Sequence, residues 1–127
     1  VAPLDWKQLD RIPFIQLDCT GATRVVNQCR AAGFTAEPDR TLANDTSIVA
    51  MVGRGLGYSI LPRLAILPDS AEVQVMELPV ATRRHLVLIA LPDTSRLPAV
   101  KIVRRFFRHR DNVAKTSAFR AGLIRLD

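Results

Sequence analysis

The sequence is short of several things, and each shortage removes a class of protein. It has two cysteines, Cys19 and Cys29. With Cys19 at the end of an expected strand and Cys29 on the third turn of the next helix, they cannot bridge, since a disulfide needs Cα atoms within ~7 Å. Two free thiols suit a reducing compartment, and both are read as packing residues. The only histidines are His85, in an apolar run, and His109, in a basic one, which leaves little to act as a general base. No His, Cys, Asp or Glu cluster has metal-ligand spacing, so no metal or cofactor is expected. No apolar run approaches the ~20 residues of a membrane helix, so no membrane partner is expected. The chain starts Val-Ala-Pro instead of Met, as a fragment or a processed chain would. It shows no basic stretch followed by an apolar core of signal-peptide type, and the cytoplasm is the expected compartment.

What is present fits one α/β domain. A chain of 127 residues that is 48% hydrophobic can bury a sizeable core. Its net charge of +6 is unevenly placed, with nine Lys or Arg against two acids from Arg96 to Asp127. Residues 1–95 are therefore close to neutral. A basic terminal stretch can meet nucleic acid or anionic lipid; here it is taken as the solvated face of a helix.

In chain order, 1–11 reads as a polar lead-in with a helical turn anchored by Leu4, Trp6 and Leu9. Phe14–Leu17 is the first expected strand, with Pro13 at its edge. Thr20 is expected to cap a helix whose Ala22, Val25, Val26, Cys29 and Ala32 share one face, closed by Gly33. Arg40–Asn44 follows as a second strand. Asp45–Arg63 is the central unit: an N-cap at Asp45 or Thr46, an apolar stripe of Ile48, Val49, Val52 and Leu56, and an exit through Gly55 and Gly57. A buried strand at Tyr58–Leu61 then stops at Pro62. A helical turn at 63–67, closed by Pro68-Asp-Ser, leads to a fourth strand at Val73–Leu78 and a strongly apolar one at His85–Leu91. Helical periodicity returns at Leu97–Phe107, with Ala99, Val100, Val103, Phe106 and Phe107 on one face and Lys101, Arg104, Arg105 and Arg108 on the other. The last stretch, 111–127, has weak periodicity and is expected to be loosely held or a short frayed helix.

Strand and helix alternating in the first half call for crossover connections, hence a mostly parallel sheet of four to five strands with helices on both faces. The short connection after Val73–Leu78 makes His85–Leu91 the antiparallel member.

Gly53-Arg-Gly-Leu-Gly57 is not a phosphate loop. Such glycines follow a strand and open a helix, whereas these close one, at the partially negative end of its dipole. Gly57-Tyr-Ser59 is not a nucleophile elbow, which needs Gly-x-Ser-x-Gly at a strand-to-helix turn. Nothing in the sequence points to an enzyme. A binding crevice is what remains, because ligands in open α/β sheets sit beyond the carboxyl ends of the strands, near free helix amides. The candidate residues are Asp18, Cys19, Thr20 and Gly21 after the first strand and Thr46 after the second. An anion is favoured there by backbone donors and the helix dipole. The plainer reading is that Thr20 and Thr46 only cap their helices. The Asp45 carboxylate argues against an anion directly on the second helix.

The order of elements resembles the effector-binding domain of LysR-type transcriptional regulators. The residues that carry the likeness are Thr46, Met51, Val52, Gly55, Leu56, Gly57, Leu61 and Pro62. Ile12-Pro-Phe-Ile15 and Gly33 match upstream, and 73–79, 84–89 and 97–107 match downstream. The likeness covers roughly 1–110. It implies one lobe of a periplasmic-binding-protein-like (type 2) fold that binds a small-molecule effector between two lobes. Residues 1–92 are then the second lobe with its return strand, 93–110 a helix of the first lobe, and 111–127 a tail. DNA is expected to be reached only through an N-terminal domain absent from this chain, and the protein to be a homo-oligomer. The competing readings are a solute-binding receptor lobe without a DNA-linked role and a nucleic-acid module built on the basic tail. The latter lacks a recognition helix or aromatics interleaved on a sheet. The apolar face of the last helix needs a partner, so self-association or a poorly ordered segment beyond Pro92 is expected.

Overall fold

The computed structural model describes residues 4–66 and 72–126. Its contacts divide into two units, 1–83 and 84–127. The first unit is built around β1 (Ile15–Leu17), where Ile15 and Leu17 are buried along with Phe14 just before it. Successive side chains of a strand point to opposite faces. Phe14 accordingly joins a cluster with Val26, Cys29, Phe34 and Ile60. Ile15 and Leu17 join a second one with Ala22 and Ile48.

α1 (Thr20–Ala31) supplies Val26 and Cys29 to the first cluster, and α2 (Asp45–Gly53) supplies Ile48 to the second. The two helices therefore lie mainly on opposite faces of β1, with Ala22 at the start of α1 reaching the second cluster as well. β2 (Arg40–Leu42) lies between them in sequence and pairs parallel with β1, Ile15 opposite Arg40 and Leu17 opposite Leu42. Opposite faces are what two successive right-handed crossovers require when the chain steps to one side of β1 and then back to the other.

α2 ends in a paired turn: the Gly55 amide donates to the Val52 carbonyl (2.9 Å) and the Leu56 amide to that of Met51 (3.1 Å). Gly55 makes this possible with φ +76°. Two residues on, Gly57 has φ +151°, and a Cβ there would collide with the Pro13 carbonyl oxygen. That close approach lets the Tyr58 amide donate to Pro13 and its carbonyl accept from Ile15, both at 2.9 Å.

A row of rings locks this region. Trp6 lies 5.1 Å from Phe34, Phe34 meets Phe14 edge-on at 5.3 Å, and Phe14 stacks on Tyr58 at 5.3 Å. The Trp6 indole donates to the Ala32 carbonyl (3.2 Å), so the lead-in, a short 3-10 turn at Trp6–Leu9, is tied to the end of α1. The Tyr58 hydroxyl is buried with no hydrogen-bond partner among the described residues. Burial first, then the carboxylates of Asp10 and Asp39, push its pKa up to about 12.

Among the described residues the expected sheet of four to five strands is corrected to two. Tyr58–Leu61 makes a single parallel bridge, Tyr58 with Phe14. The Ile15 carbonyl, which a continuing ladder would offer to the Ile60 amide, accepts from the Ser59 hydroxyl at 2.6 Å. Val73–Leu78 and His85–Leu91 form no strand, so the antiparallel pair is not present either. An apolar, β-branched run becomes a strand only when a neighbouring backbone takes its N–H and C=O groups, and composition cannot supply one. The second strand stops at Leu42, short of Asn44. Leu56, placed on the apolar stripe of α2, falls beyond the helix and is exposed. The turn expected at 63–67 is a 3-10 helix at Arg63–Ile66; its closing residues 67–70 lie outside the described residues, as do 1–3 of the lead-in and Asp127.

The second unit is helical. A 3-10 turn at Thr94–Arg96 leads into α3 (Pro98–Arg108), with Pro98 at the first helical position. α4 (Arg110–Ala114) and α5 (Ser117–Arg120) follow, so the stretch expected to be loosely held or a short frayed helix holds two short helices. Phe119 donates its amide to the Thr116 hydroxyl, which caps α5. Leu86, Val87, Ile89, Ile102, Phe106 and Phe107 are all more than half exposed.

Two outcomes test this packing. Gly57→Ala should cost about 3 kcal/mol from backbone strain plus overpacking. Gly55→Ala, with open space around it, should cost about 1 kcal/mol; urea unfolding of both separates the cases. The raised pKa of Tyr58 means that folding favours the neutral phenol. Its contribution is complete below pH 10 and is lost as pH rises from 10 toward 12. Tyr58→Phe should therefore lose less stability than the wild type between pH 9 and pH 11, read from urea midpoints at the two values.

Candidate functional site

Because β1 and β2 are parallel and in register, the segments after Leu17 and after Leu42 leave the sheet at the same edge. The Asp18 amide donates to the Leu42 carbonyl at 2.8 Å and ties the two exits together. All five candidate residues, Asp18, Cys19, Thr20, Gly21 and Thr46, thus lie in or next to these two connections.

Their roles differ from expectation in two places. The cap of α1 is Cys19, not Thr20: its backbone is extended and its sulfur accepts from the Ala22 amide at 3.3 Å. Thr20 is already the first helical residue. The cap of α2 is Asn44, not Asp45 or Thr46: its side-chain oxygen accepts from the Ser47 amide at 3.1 Å. In both cases the extended residue comes earlier than the sequence suggested, by one position from Thr20 and by one or two from Asp45 or Thr46. The cap must leave the strand's dihedrals at the right point, and strand length decides that point.

These caps sort the free donors. The first amides of a helix have no partner within it. On α1, the Ala22 amide goes to Cys19 Sγ and the Thr23 amide to the Cys19 carbonyl, at 3.0 Å. The amides of Thr20 and Gly21 are left for solvent or a ligand. On α2, the Asp45 carboxylate accepts from the Thr46 amide at 2.8 Å. A charge of one sign already sits on that helix end, so of the two, α1 is the end open to an anion.

Asp18, Cys19 and Thr20 line a shallow, solvent-open depression with Thr23, Arg24 and Asn27. Gly21 and Thr46 do not line it. Arg24 was missed by the sequence reading. It sits four residues after Thr20, on the same side of the helix, and that spacing was legible. Asp18 works against it as a local negative charge beside the free amides.

Residues 1–112 match the family described as the LysR substrate binding domain. It is 37% identical over 102 residues, 77% of its length, to the probable HTH-type transcriptional regulator LrrA of Synechococcus elongatus (strain ATCC 33912 / PCC 7942 / FACHB-805). The chain spans 34% of that relative's length. No solved structure matches it. With the family matched over most of its residues, this chain belongs to the LysR substrate-binding domains.

The cap assignments are directly testable. Asn44→Ala should cost about 1 kcal/mol, as loss of a helix cap does. Thr20→Ala should change stability by less than about 0.5 kcal/mol, as an exposed non-capping position does. A reversed order in thermal or urea unfolding would return the cap to Thr20.

Proposed function

We propose that this chain is the effector-sensing part of a LysR-type bacterial transcriptional regulator, binding a small anionic molecule at the carboxyl edge of its sheet. The observation that carries the reading is the pair of open amides of Thr20 and Gly21, with Arg24 one turn along on the same side. Two backbone donors, a helix dipole and a guanidinium suit a carboxylate or a similar group. β2 on one side of β1 and the Tyr58 bridge on the other make this edge a topological switch point, the usual ligand position in open α/β sheets.

In this reading 1–92 is the second lobe of a periplasmic-binding-protein-like fold, 93–110 a helix of the first lobe, and 111–127 a tail. The effector lies between the lobes, and Thr46 offers its hydroxyl from the neighbouring helix. The intact protein is cytoplasmic and homo-oligomeric, and reaches specific DNA through an N-terminal domain. It performs no catalysis. Effector binding changes transcription by shifting the equilibrium between lobe arrangements.

Thr20→Asp in the intact regulator is the discriminating substitution. A carboxylate at the first helical position favours the helix by about 0.3–1 kcal/mol, yet repels an anionic effector. The melting temperature should hold or rise. The effector concentration for half-maximal transcriptional response should rise at least tenfold. An unchanged dose-response at unchanged stability overturns the anion site.

A further inference from the structure

α3 carries two faces that neither the core nor the effector reading uses. At about 100° per residue, Lys101, Arg104, Arg105 and Arg108 fall within an arc of about 100° on one side. Ala99, Ile102, Val103 and Phe106 fall on the other. All four cations are exposed, and none has an acidic partner among the described residues. His109 and Arg110 extend the ridge into α4; with the four cations they line a shallow depression of their own, in which Asp111 is the one acid. Asp111 is also the only acid between Thr94 and Leu126. The local field is therefore strongly positive and directed outward.

We infer that this ridge contacts the phosphate backbone of DNA, without reading sequence, as a second contact beyond the N-terminal domain. Its dimensions fit. Lys101 to Arg108 spans about 10 Å of helix axis, the rise of about three successive phosphates on one strand. A ridge of long, flexible cations with no carboxylate partners among the described residues gains from counterion release wherever it meets a polyanion. An anionic membrane is the less favoured partner. An interfacial helix buries its apolar face while its cations reach the headgroups beside it. Here Lys101 and Arg108 lie opposite that face and would point into water. The inference goes beyond the effector reading and does not depend on where the effector sits.

The test uses the complete chain and a 25-base-pair duplex of arbitrary sequence, followed by fluorescence anisotropy between 50 and 200 mM salt. Four phosphate contacts predict that affinity falls roughly 150-fold over that range, from a slope of about −0.9 per contact. Arg104→Gln/Arg105→Gln/Arg108→Gln should flatten the slope to about one contact's worth. Arg120→Gln/Arg125→Gln, which removes charge elsewhere in the same unit, should leave the slope within about one contact of wild type. Circular dichroism checks that the substituted chains keep their helix content. An equal loss in both variants would show diffuse attraction to net charge and overturn the ridge. So would a slope unchanged in the triple variant. Binding to phosphatidylserine–phosphatidylcholine vesicles without binding to the duplex would assign the ridge to a membrane and equally refute the DNA contact.

Discussion

Everything in the first unit hangs on the approach of residue 57 to residue 13. Tyr58 can bridge β1 only because Gly57 lets its backbone pass against the Pro13 carbonyl, where any Cβ would collide. The two hydrogen bonds that follow place Phe14 and Ile15 between two neighbours, β2 on one side and Tyr58 on the other. With both edges of β1 occupied, its side chains can be buried in two clusters, one closed by α1 and the other by α2 together with Ala22 of α1. Remove the close approach and the Phe14–Tyr58 stack, the Ser59 bond to Ile15 and the packing of Ile60 go with it.

The same arrangement creates the chemistry at the carboxyl edge. Parallel strands send their following helices off one edge, so helix N-termini gather there and their unpaired amides with them. Two helices begin at this edge, but they are not equivalent. Asp45 turns its carboxylate back onto α2 and uses a donor there, whereas the cap of α1 is a thiol, a weak acceptor that takes one amide and leaves two. A difference of one side chain in the first turn decides which helix end has a carboxylate already on its amides.

The second unit shows what happens when apolar periodicity lacks a surface to meet. α3 has a strongly segregated pattern and forms as a helix, started by Pro98. Its Phe106 and Phe107 rings meet each other edge-on at 5.8 Å, yet both stay more than half exposed. Local pattern was enough for the helix. It was not enough to determine what covers it.

Much of the local structure was legible in the residues alone. The helices over 20–31, 45–53 and 98–108 follow from periodicity, the glycine exits from their spacing, and the free, packed state of Cys29 from its place on a helix face. These depend on interactions within a few residues, and the sequence holds both partners. The edge on which the candidate residues gather was legible too, since alternating strands and helices imply parallel order. What only the tertiary structure decided is where strands end and which extended runs become strands at all. Residues 73–78 and 85–91 have the composition of strands and are not, while Tyr58 pairs through a single bridge. The caps moved earlier, to Cys19 and Asn44, for the same reason. A helix carries its hydrogen-bond partners in its own next turn, but a strand finds them only in a distant part of the chain, and no local pattern records whether that part is within reach.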